Sequence, residues 1–201
     1  MYSRCVNTSE RLVAATRELL WERGYTGTSP RAIQARAGAG QGSMYHHFAG
    51  KHGLALAAVG RSAEELRAAA EAVLGGPGTA YQRVRGYLLR ERDVLRGCPV
   101  GRLAMDPEVV ADDALRAPVE ETLGWLRDRL AAVVGQGVAD GEFDRALDPE
   151  ATAAALVAVV QGGYVLARAS GSPAAFDTAV RGALALLGPD RDDPAAPETA
   201  H

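Results

Sequence analysis

The stretch Ser29–Lys51, SPRAIQARAGAGQGSMYHHFAGK, sets the organisation of this 201-residue chain. Ser29 can accept a hydrogen bond from a first-turn amide and Pro30 suits the first helical position, so a helix is predicted to begin here. Gly38 stands where that helix needs a residue with positive φ in order to end. A second short helix is predicted over residues 41–48. The stretch therefore predicts two short helices joined by a glycine-containing turn.

The second of these helices has two unlike faces. Met44 and Phe48 are four residues apart, so they share a face that is predicted to point into a core. The outward residues are small or polar: Gln41, Ser43 and His46, flanked by Tyr45 and His47. Two helices that cross sharply over a tight turn, with a small polar outer face on the second, form a helix-turn-helix.

The segment Thr8–Val59, which contains this motif, resembles the DNA-binding domain of TetR-type transcriptional repressors. The residues that carry the resemblance are Ala15, Leu19, Gly24, Tyr25, Thr28, Ser29, Ile33, Ala37, Gly38, Tyr45, His47, Phe48, Lys51 and Leu54. The resemblance implies an all-α fold. In that fold an N-terminal three-helix helix-turn-helix domain precedes a C-terminal helical domain for ligand binding and dimerisation, with about nine helices in all.

The resemblance also implies where DNA is bound. Gln41 can offer a donor and an acceptor to an adenine edge, and Ser43 can contact a base or a phosphate. Lys51 opens the next helix, where its charge and the free amides favour a phosphate. The predicted DNA-contacting residues are Thr28, Ser29, Gln41, Ser43, Tyr45, His46, His47 and Lys51. Gly40 departs from the family, which usually has a serine N-cap at this position.

The distribution of charge supports contact between one end of the chain and a polyanion. Residues 1–52 carry seven basic and three acidic side chains, a net charge of +4. Because the whole chain carries −3, the remainder carries −7. A basic N-terminal part on an acidic body is typical of a protein that presents one end to nucleic acid.

Glycine and proline pairs divide the rest of the chain into helices. Helices are predicted over Lys51–Leu74, Thr79–Arg96, Glu108–Leu115 and Pro118–Ala139, with two more starting at Asp148-Pro149 and Ser172-Pro173. We predict a DNA-binding domain in residues 1–52 and a ligand-binding and dimerisation domain in residues 53–188. Residues 189–201 are acidic and rich in Pro and Ala without a large apolar residue, so they are predicted to be a disordered tail.

The C-terminal part is similar to a branch of the family that carries a Gly-Cys-Pro motif, here Gly97–Pro99. That branch includes the lincomycin- and flavonoid-responsive repressors of multidrug-resistance genes. The similarity implies a small hydrophobic or aromatic effector in a pocket. Candidate pocket walls are Tyr81, Leu88, Met105, Trp125 and Tyr164. The alternative that these five are ordinary core side chains stays open.

The last two predicted helices carry apolar faces broader than one domain needs. Family members dimerise at this position through a four-helix bundle, which implies a homodimer. The predicted interface residues are Leu156, Val160, Gly163, Phe176, Val180 and Leu184. A two-fold dimer would bind a double-stranded operator at two half-sites, which multiplies a weak set of contacts.

The two cysteines, Cys5 and Cys98, lie far apart without a metal-binding spacing, which favours a reducing cytoplasm over a disulfide scaffold. His46 and His47 are adjacent, and adjacent helical side chains point about 100° apart, so neither a metal site nor a cofactor is expected. No catalytic arrangement is found, so no enzymatic activity is expected. The longest apolar run, Ala151–Val160, is too short for a membrane span.

Two other functions remain open from the sequence. The chain could be an all-α small-molecule-binding protein without a DNA function, for which a neutral or acidic N-terminal face is expected. It could also be a DNA-binding regulator that is switched by oxidation of Cys98. A buried, purely structural Cys98 would be the simpler interpretation of that residue.

Overall fold

The N-terminal helices follow local start and stop signals in the sequence. The computed structural model describes residues 7–188. Its first four helices are α1 (Thr8–Arg23), α2 (Pro30–Ala37), α3 (Gln41–His47) and α4 (Gly50–Leu74). The N-cap of α1 is Asn7, whose side-chain oxygen accepts a hydrogen bond from the amide of Ser9.

Five further α-helices and one 3-10 helix complete the described part. They are α5 (Ala80–Leu89), the 3-10 helix (Gly101–Met105), α6 (Pro107–Ala111), α7 (Asp113–Ala139), α8 (Pro149–Ser170) and α9 (Ala174–Leu187). Residues 7–188 contain no strand, so the predicted all-α class is confirmed. The predicted tail, residues 189–201, lies outside the described residues, as do residues 1–6.

Helix α5 is shorter than predicted. It ends at Leu89 instead of continuing to Arg96, because Arg90 leaves the helical conformation at φ −56° and ψ 148°. The guanidinium of Arg92 donates to the carbonyl of Tyr87. In a longer helix this carbonyl would accept from the amide of Glu91 instead. Leu95 lies beyond the end of α5 and is 43% exposed.

The boundary between α6 and α7 also differs from the prediction. Asp112 ends α6, and its carboxylate accepts hydrogen bonds from the amides of Ala114 and Leu115 at 2.9 and 3.1 Å. An aspartate in this role is a strong helix start, so α7 begins at Asp113 and not at Pro118. Pro118 therefore lies inside the helix instead of at its first position.

The core is divided between two compact units. The first comprises the described residues up to Leu66 together with Arg96–Thr122. The second comprises Arg67–Leu95 together with the described residues from Leu123 onwards. Helices α4 and α7 each run from one unit into the other. The functional division at residue 52 remains a prediction, since these units are defined by packing.

The second unit is held by helix packing and by one well-formed ion pair. Helix α8 packs along α9, and Phe176 of α9 lies against Gly163 of α8. A Cβ added to Gly163 would be 2.8 Å from the Phe176 ring. Arg129 of α7 makes two hydrogen bonds, of 2.7 and 2.9 Å, to the carboxylate of Glu71 near the end of α4. Such paired bonds fix the relative position of two helices more firmly than a single contact.

Gly137 in α7 marks a second close contact in this unit. A Cβ at this position would lie 2.5 Å from two ring atoms of Phe143 and 2.7 Å from the Cβ of Ala80. We expect Gly137→Ala to lower the free energy of unfolding by about 1–2 kcal/mol, because overpacking outweighs the gain in helix propensity. Gly124, in the same helix, has open space at its Cβ, so Gly124→Ala should raise stability by about 0.5–1 kcal/mol.

Urea denaturation of the two variants beside the wild type tests this pair. The opposite signs are the critical observation, since both substitutions make the same chemical change within one helix. If both variants were stabilised, the close packing of Phe143 and Ala80 on Gly137 would be contradicted.

Helix α8 is long and apolar enough, by length and composition alone, to cross a membrane. The prediction that no apolar segment reaches this length is therefore wrong. One such helix is weak evidence for a membrane span, because core helices of other proteins pass the same test. Only a third of the apolar window of α8 is buried within the chain, so the helix exposes more apolar surface than its own unit covers.

Candidate nucleic-acid interface

A small apolar core beneath α1, α2 and α3 positions the candidate interface. Its buried members come from the three helices and the start of α4: Leu12, Ala15, Leu19, Ile33, Ala37, Met44 and Leu54. Val13, Ala32, Ala39 and Phe48 pack against it from the edge. The inward prediction for Met44 is confirmed, while Phe48 is half-buried. This core fixes α3 by its apolar side and leaves the other side exposed.

The turn between α2 and α3 has the predicted conformation. The hydroxyl of Ser29 accepts a hydrogen bond from the amide of Ala32 at 3.2 Å, and Pro30 is the first residue of α2. Gly38 adopts the left-handed conformation at φ 59° and ψ 38°, which ends α2. Gly40 caps α3 without a side-chain hydrogen bond. Helix α3 thus starts with a weaker cap than a serine would give.

The outer face of α3 is polar and accessible. Gln41, His46 and His47 are exposed, Tyr45 is 54% exposed, and Ser43 is half-buried. The rings of His46 and His47 meet edge to face with their centroids 4.9 Å apart. Together these side chains offer hydrogen-bond donors, acceptors and aromatic surface to the edges of bases or to phosphates.

Thr28 does not belong to this exposed surface. Its side chain is 2% exposed, and its hydroxyl donates to the carbonyl of Gly24 at 2.6 Å. The prediction that Thr28 contacts DNA is therefore corrected: its side chain stabilises the loop between α1 and α2. Ser29, the next residue, is exposed, although its hydroxyl is used as the cap of α2.

Lys51 is held in place by its neighbours. Its ammonium nitrogen lies 3.8 Å from the centroid of the Tyr25 ring and 3.9 Å from a carboxylate oxygen of Glu108. The side chain is 21% exposed. Burial, and then the nearby carboxylates of Glu108, Asp112 and Asp106, raise the pKa of Tyr25, so its hydroxyl stays protonated at neutral pH. Lys51, the second residue of α4, is therefore held by Tyr25 and Glu108, and part of its charge is balanced.

Two further cations, which no local sequence pattern distinguishes, lie at the same end of the first unit. Arg11 of α1 comes close to the turn between α2 and α3, since a Cβ on Gly38 would lie 3.7 Å from a guanidinium nitrogen of Arg11. Arg31 is exposed in the first turn of α2. Both were counted in the basic total of residues 1–52. Only the packing of α1 on the turn distinguishes them from other surface arginines.

The segment Arg96–Thr122 packs against α1 and the loop that follows it. The indole nitrogen of Trp21 donates to the carbonyl of Gly97 at 2.9 Å, and the guanidinium of Arg96 stacks 3.8 Å above the Trp21 ring. Arg96 also pairs with Glu18 of α1. These contacts explain why Arg96–Thr122 belongs to the same compact unit as α1–α3.

Asp106, in the same segment, is a buried carboxylate with several hydrogen-bond partners. At 7% exposure, its carboxylate accepts hydrogen bonds from the amide and hydroxyl of Thr26, at 2.9 and 2.7 Å, and from the amide of Glu108 at 3.1 Å. Burial alone would raise the pKa of Asp106, but the hydrogen bonds from Thr26 and Glu108 outweigh it and lower the pKa below the ordinary 3.8. Gly24 is required beside it, because a Cβ there would lie 2.7 Å from an Asp106 oxygen.

The five predicted pocket residues are not equivalent in the structure. Met105 is 85% exposed in the 3-10 helix of the first unit, so its assignment as a pocket wall is wrong. In the second unit Leu88 is fully buried, Trp125 is half-buried on α7, and the ring of Tyr81 lies 6.4 Å from that of Phe143. The ring of Tyr164 lies 5.0 Å from that of Phe176. The packing therefore supports the core interpretation for Leu88.

The predicted dimer residues are buried inside one chain. All six are at most 9% exposed, and they pack within the second unit: Leu156, Val160, Gly163, Phe176, Val180 and Leu184. Their assignment to a dimer interface is therefore corrected. Periodicity alone could not separate the two apolar faces of α8 and α9. The large apolar side chains that these helices expose are Val165, Leu166 and Leu186, at 66%, 54% and 88%.

Cys98 is buried at 6% exposure, and its sulfur accepts a hydrogen bond from the amide of Gly101 at 3.1 Å. A buried thiol in this setting is a poor target for oxidants. Within residues 7–188 no three or more His, Cys, Asp or Glu side chains are grouped so that they could hold a metal ion.

Comparison with known proteins assigns both parts of the chain to one family. Residues 12–58 match the model described as "Bacterial regulatory proteins, tetR family", and residues 79–183 match "Tetracyclin repressor-like, C-terminal domain". The HTH-type transcriptional repressor KstR of Mycolicibacterium smegmatis is 29% identical over 133 residues, which are 66% of this chain and 64% of that repressor. The chain thus spans about two thirds of the length of this curated relative.

Solved structures agree over a larger part of the chain. A TetR transcriptional regulator from Chloroflexus aurantiacus has 28% identity and a TM-score of 0.78, covering 90% of this chain and 93% of its own. A TetR-family regulator from Agrobacterium tumefaciens has a TM-score of 0.82 at 23% identity, with coverages of 90% and 97%. At that identity the second comparison supports the fold alone.

Proposed function

The chain belongs to the TetR family of bacterial transcriptional regulators, and from this premise we propose that it is a ligand-responsive repressor that binds a palindromic operator as a homodimer. One observation carries the proposal. Helix α3 is anchored by the buried Met44 and exposes Gln41, Tyr45, His46 and His47 on its other side. A short helix presented in this way after a tight turn suits the major groove of DNA.

The proposed contacts divide into those that select sequence and those that position the protein. Gln41 and Ser43 are proposed to contact base edges. Tyr45, His46 and His47 are proposed to contact phosphates, as are Ser29 and Lys51, and the structure adds Arg11 and Arg31 as further cations at this end. Phosphate contacts give affinity that depends on salt, whereas base contacts give specificity.

A second copy of the chain is proposed to cover the outer faces of α8 and α9. Those faces expose Val165, Leu166 and Leu186, and α8 has more apolar surface than its own unit buries. Large exposed apolar side chains next to small ones such as Gly162 and Gly182 favour close helix packing between copies. In a dimer bound to its operator, the two α3 helices are expected to lie about 34–36 Å apart.

The effector is proposed to favour a state whose α3 spacing does not match the operator. Because α4 and α7 run between the two units, a change in the second unit can reach the first along continuous helices. The effector must bind the two states with different affinity for this to occur. The Gly-Cys-Pro motif at Gly97–Pro99 supports the finer similarity to the multidrug-resistance branch, which stays a proposal. The proposal places the protein in the cytoplasm with the chromosome.

The alternatives are less well supported. A small-molecule-binding protein without a DNA function has no use for an exposed polar α3 on a basic N-terminal part. A switch by oxidation of Cys98 is disfavoured by the burial of that thiol.

The experiment is a gel-shift titration with DNA from upstream of the chain's own coding sequence, at several salt concentrations. The wild type is expected to give a sequence-specific complex whose affinity falls as salt rises. Tyr45→Ala should weaken binding to all sequences alike. Gln41→Ala should relax the preference at one base position by about 1–3 kcal/mol. Arg127→Gln on the exposed surface of α7 is the matched control and should bind as the wild type does.

The absence of any salt-sensitive, sequence-specific complex would refute the proposed repressor function. A Gln41→Ala variant with unchanged base preference would instead remove only the assigned role of Gln41.

A further inference from the structure

The segment Arg90–Asp93, directly after α5, directs two arginines towards the interior of the second unit. Arg90 has left the helical conformation, at φ −56° and ψ 148°, and Glu91, Arg92 and Asp93 belong to no helix. The four charged residues alternate in exposure: Arg90 and Arg92 are half-buried, whereas Glu91 and Asp93 are exposed. Because α5 ends at Leu89, Arg90 and Arg92 both lie outside the helix and are half-buried.

Both guanidinium groups lie against the same aromatic ring. The central carbon of Arg90 is 5.1 Å and that of Arg92 is 5.4 Å from the centroid of the Tyr87 ring. Arg92 is also 5.3 Å from the centroid of Phe176, whose ring neighbours that of Tyr164. Tyr87 and Phe176 are each 2% exposed. The electron-rich faces of these rings favour positive charge beside them.

Arg90 has hydrogen-bonding capacity that its own surroundings do not use. Its Nε is buried and donates no hydrogen bond within the described residues. A buried N–H of a charged group is costly unless an acceptor reaches it. Arg92, in contrast, is anchored by its bond to the Tyr87 carbonyl. A planar guanidinium matches the two oxygens of a carboxylate, and the adjacent rings match an aromatic body.

We propose that Arg90 and Arg92 form the anion-binding end of an effector site in the second unit, and that the effector is an aromatic carboxylate. This proposal rests on the proposed ligand-responsive function and narrows the predicted hydrophobic or aromatic effector to an acidic one. The carboxylate accepts hydrogen bonds from Arg90, and the aromatic body lies towards the Tyr164 and Phe176 side of the cluster. Tyr164 is the predicted pocket residue that this site retains.

The test measures binding of 1-naphthoate and of its neutral counterpart 1-naphthamide to the full chain by equilibrium dialysis at neutral pH. The two probes share an aromatic body and differ in charge. The wild type is expected to bind naphthoate at least tenfold more tightly than naphthamide. Arg90→Gln should weaken naphthoate binding tenfold or more and leave naphthamide binding unchanged, and Arg90→Lys should fall between the wild type and Arg90→Gln. Arg85→Gln, at an exposed position of α5, is the matched control and should behave as the wild type does.

Thermal unfolding of each variant verifies that it is folded before binding is measured. Equal affinity for the acid and the amide would overturn the proposal. No binding of naphthoate to the folded wild type would do so as well, as would an Arg90→Gln variant that stays within twofold of the wild type.

A gel shift with the upstream DNA separates this proposal from the function on which it rests. Naphthoate is expected to release the wild type from DNA and to leave Arg90→Gln bound. A specific DNA complex with no naphthoate binding would overturn the carboxylate site alone. Naphthoate binding without any specific DNA complex would refute the repressor function and leave the site standing.

Discussion

Replacing Asp106 by alanine is expected to lower the free energy of unfolding by about 2–4 kcal/mol, since it removes an N-cap and leaves buried donors unpaired. The carboxylate accepts both hydrogen bonds from Thr26 and one from the amide of Glu108. Its loss frees the loop between α1 and α2 from α6. Asp106→Asn should cost less, because one amide oxygen can still accept. Urea denaturation at pH 7 measures both effects.

The same substitution has a defined dependence on pH. The pKa of Asp106 is lowered in the folded protein, so its ionised form stabilises the fold above the unfolded value of about 3.8. That contribution is lost as the pH falls from this value through the lower folded pKa. The difference in stability between wild type and Asp106→Asn should therefore shrink as the pH is lowered below about 4. Asp128→Asn, at an exposed site of α7, is the control and should change stability little at either pH. A wild-type advantage that grows in acid would contradict the assigned role.

Replacing both Leu166 and Leu186 by glutamate is expected to convert the proposed dimer into a folded monomer and to lower affinity for the proposed operator by about two orders of magnitude or more. These side chains are 54% and 88% exposed in one chain, so the substitution leaves the internal packing of α8 on α9 intact. Charges at the proposed interface would have to be desolvated on association, which is costly. Light scattering after size-exclusion chromatography reports the mass, and gel shift reports the affinity.

The matched variant for this test is Leu156→Ala. Leu156 is 3% exposed within its own chain, so its truncation should cost about 2–5 kcal/mol of fold stability without breaking the dimer. The opposite result would be a dimeric Leu166→Glu, Leu186→Glu variant and a monomeric Leu156→Ala variant. It would contradict the proposed interface and support the interface residues that were predicted from the sequence. A wild type that is monomeric at micromolar concentration would contradict both assignments.

Elements with a local cause were predicted well. The Ser29 cap, the Pro30 start and the left-handed Gly38 were all predicted and are all observed, because each depends on hydrogen bonds or backbone angles within about four residues. The start of α8, at Asp148 followed by Pro149, was predicted for the same reason. Helix-turn-helix signals are almost entirely of this kind.

Elements whose cause is distant in sequence were predicted poorly. The end of α5 depends on Arg92 and on the aromatic cluster that it contacts, so the helical pattern that continues to Arg96 is misleading. The burial of Thr28 depends on how the loop after α1 folds back. Met105 has the composition of a pocket residue but lies in a 3-10 helix that exposes it.

The helix-turn-helix, the family and the polar outer face of α3 could be predicted without a structure, since they follow from spacing, capping and charge along a short stretch. Tertiary structure decided which apolar face of α8 and α9 is internal, where Lys51 is held, and that Arg96–Thr122 packs with the N-terminal helices. The physical reason is that the hydrophobic effect has no direction. A helix with apolar residues on several sides can be buried on any of them, and only its packed neighbours determine which.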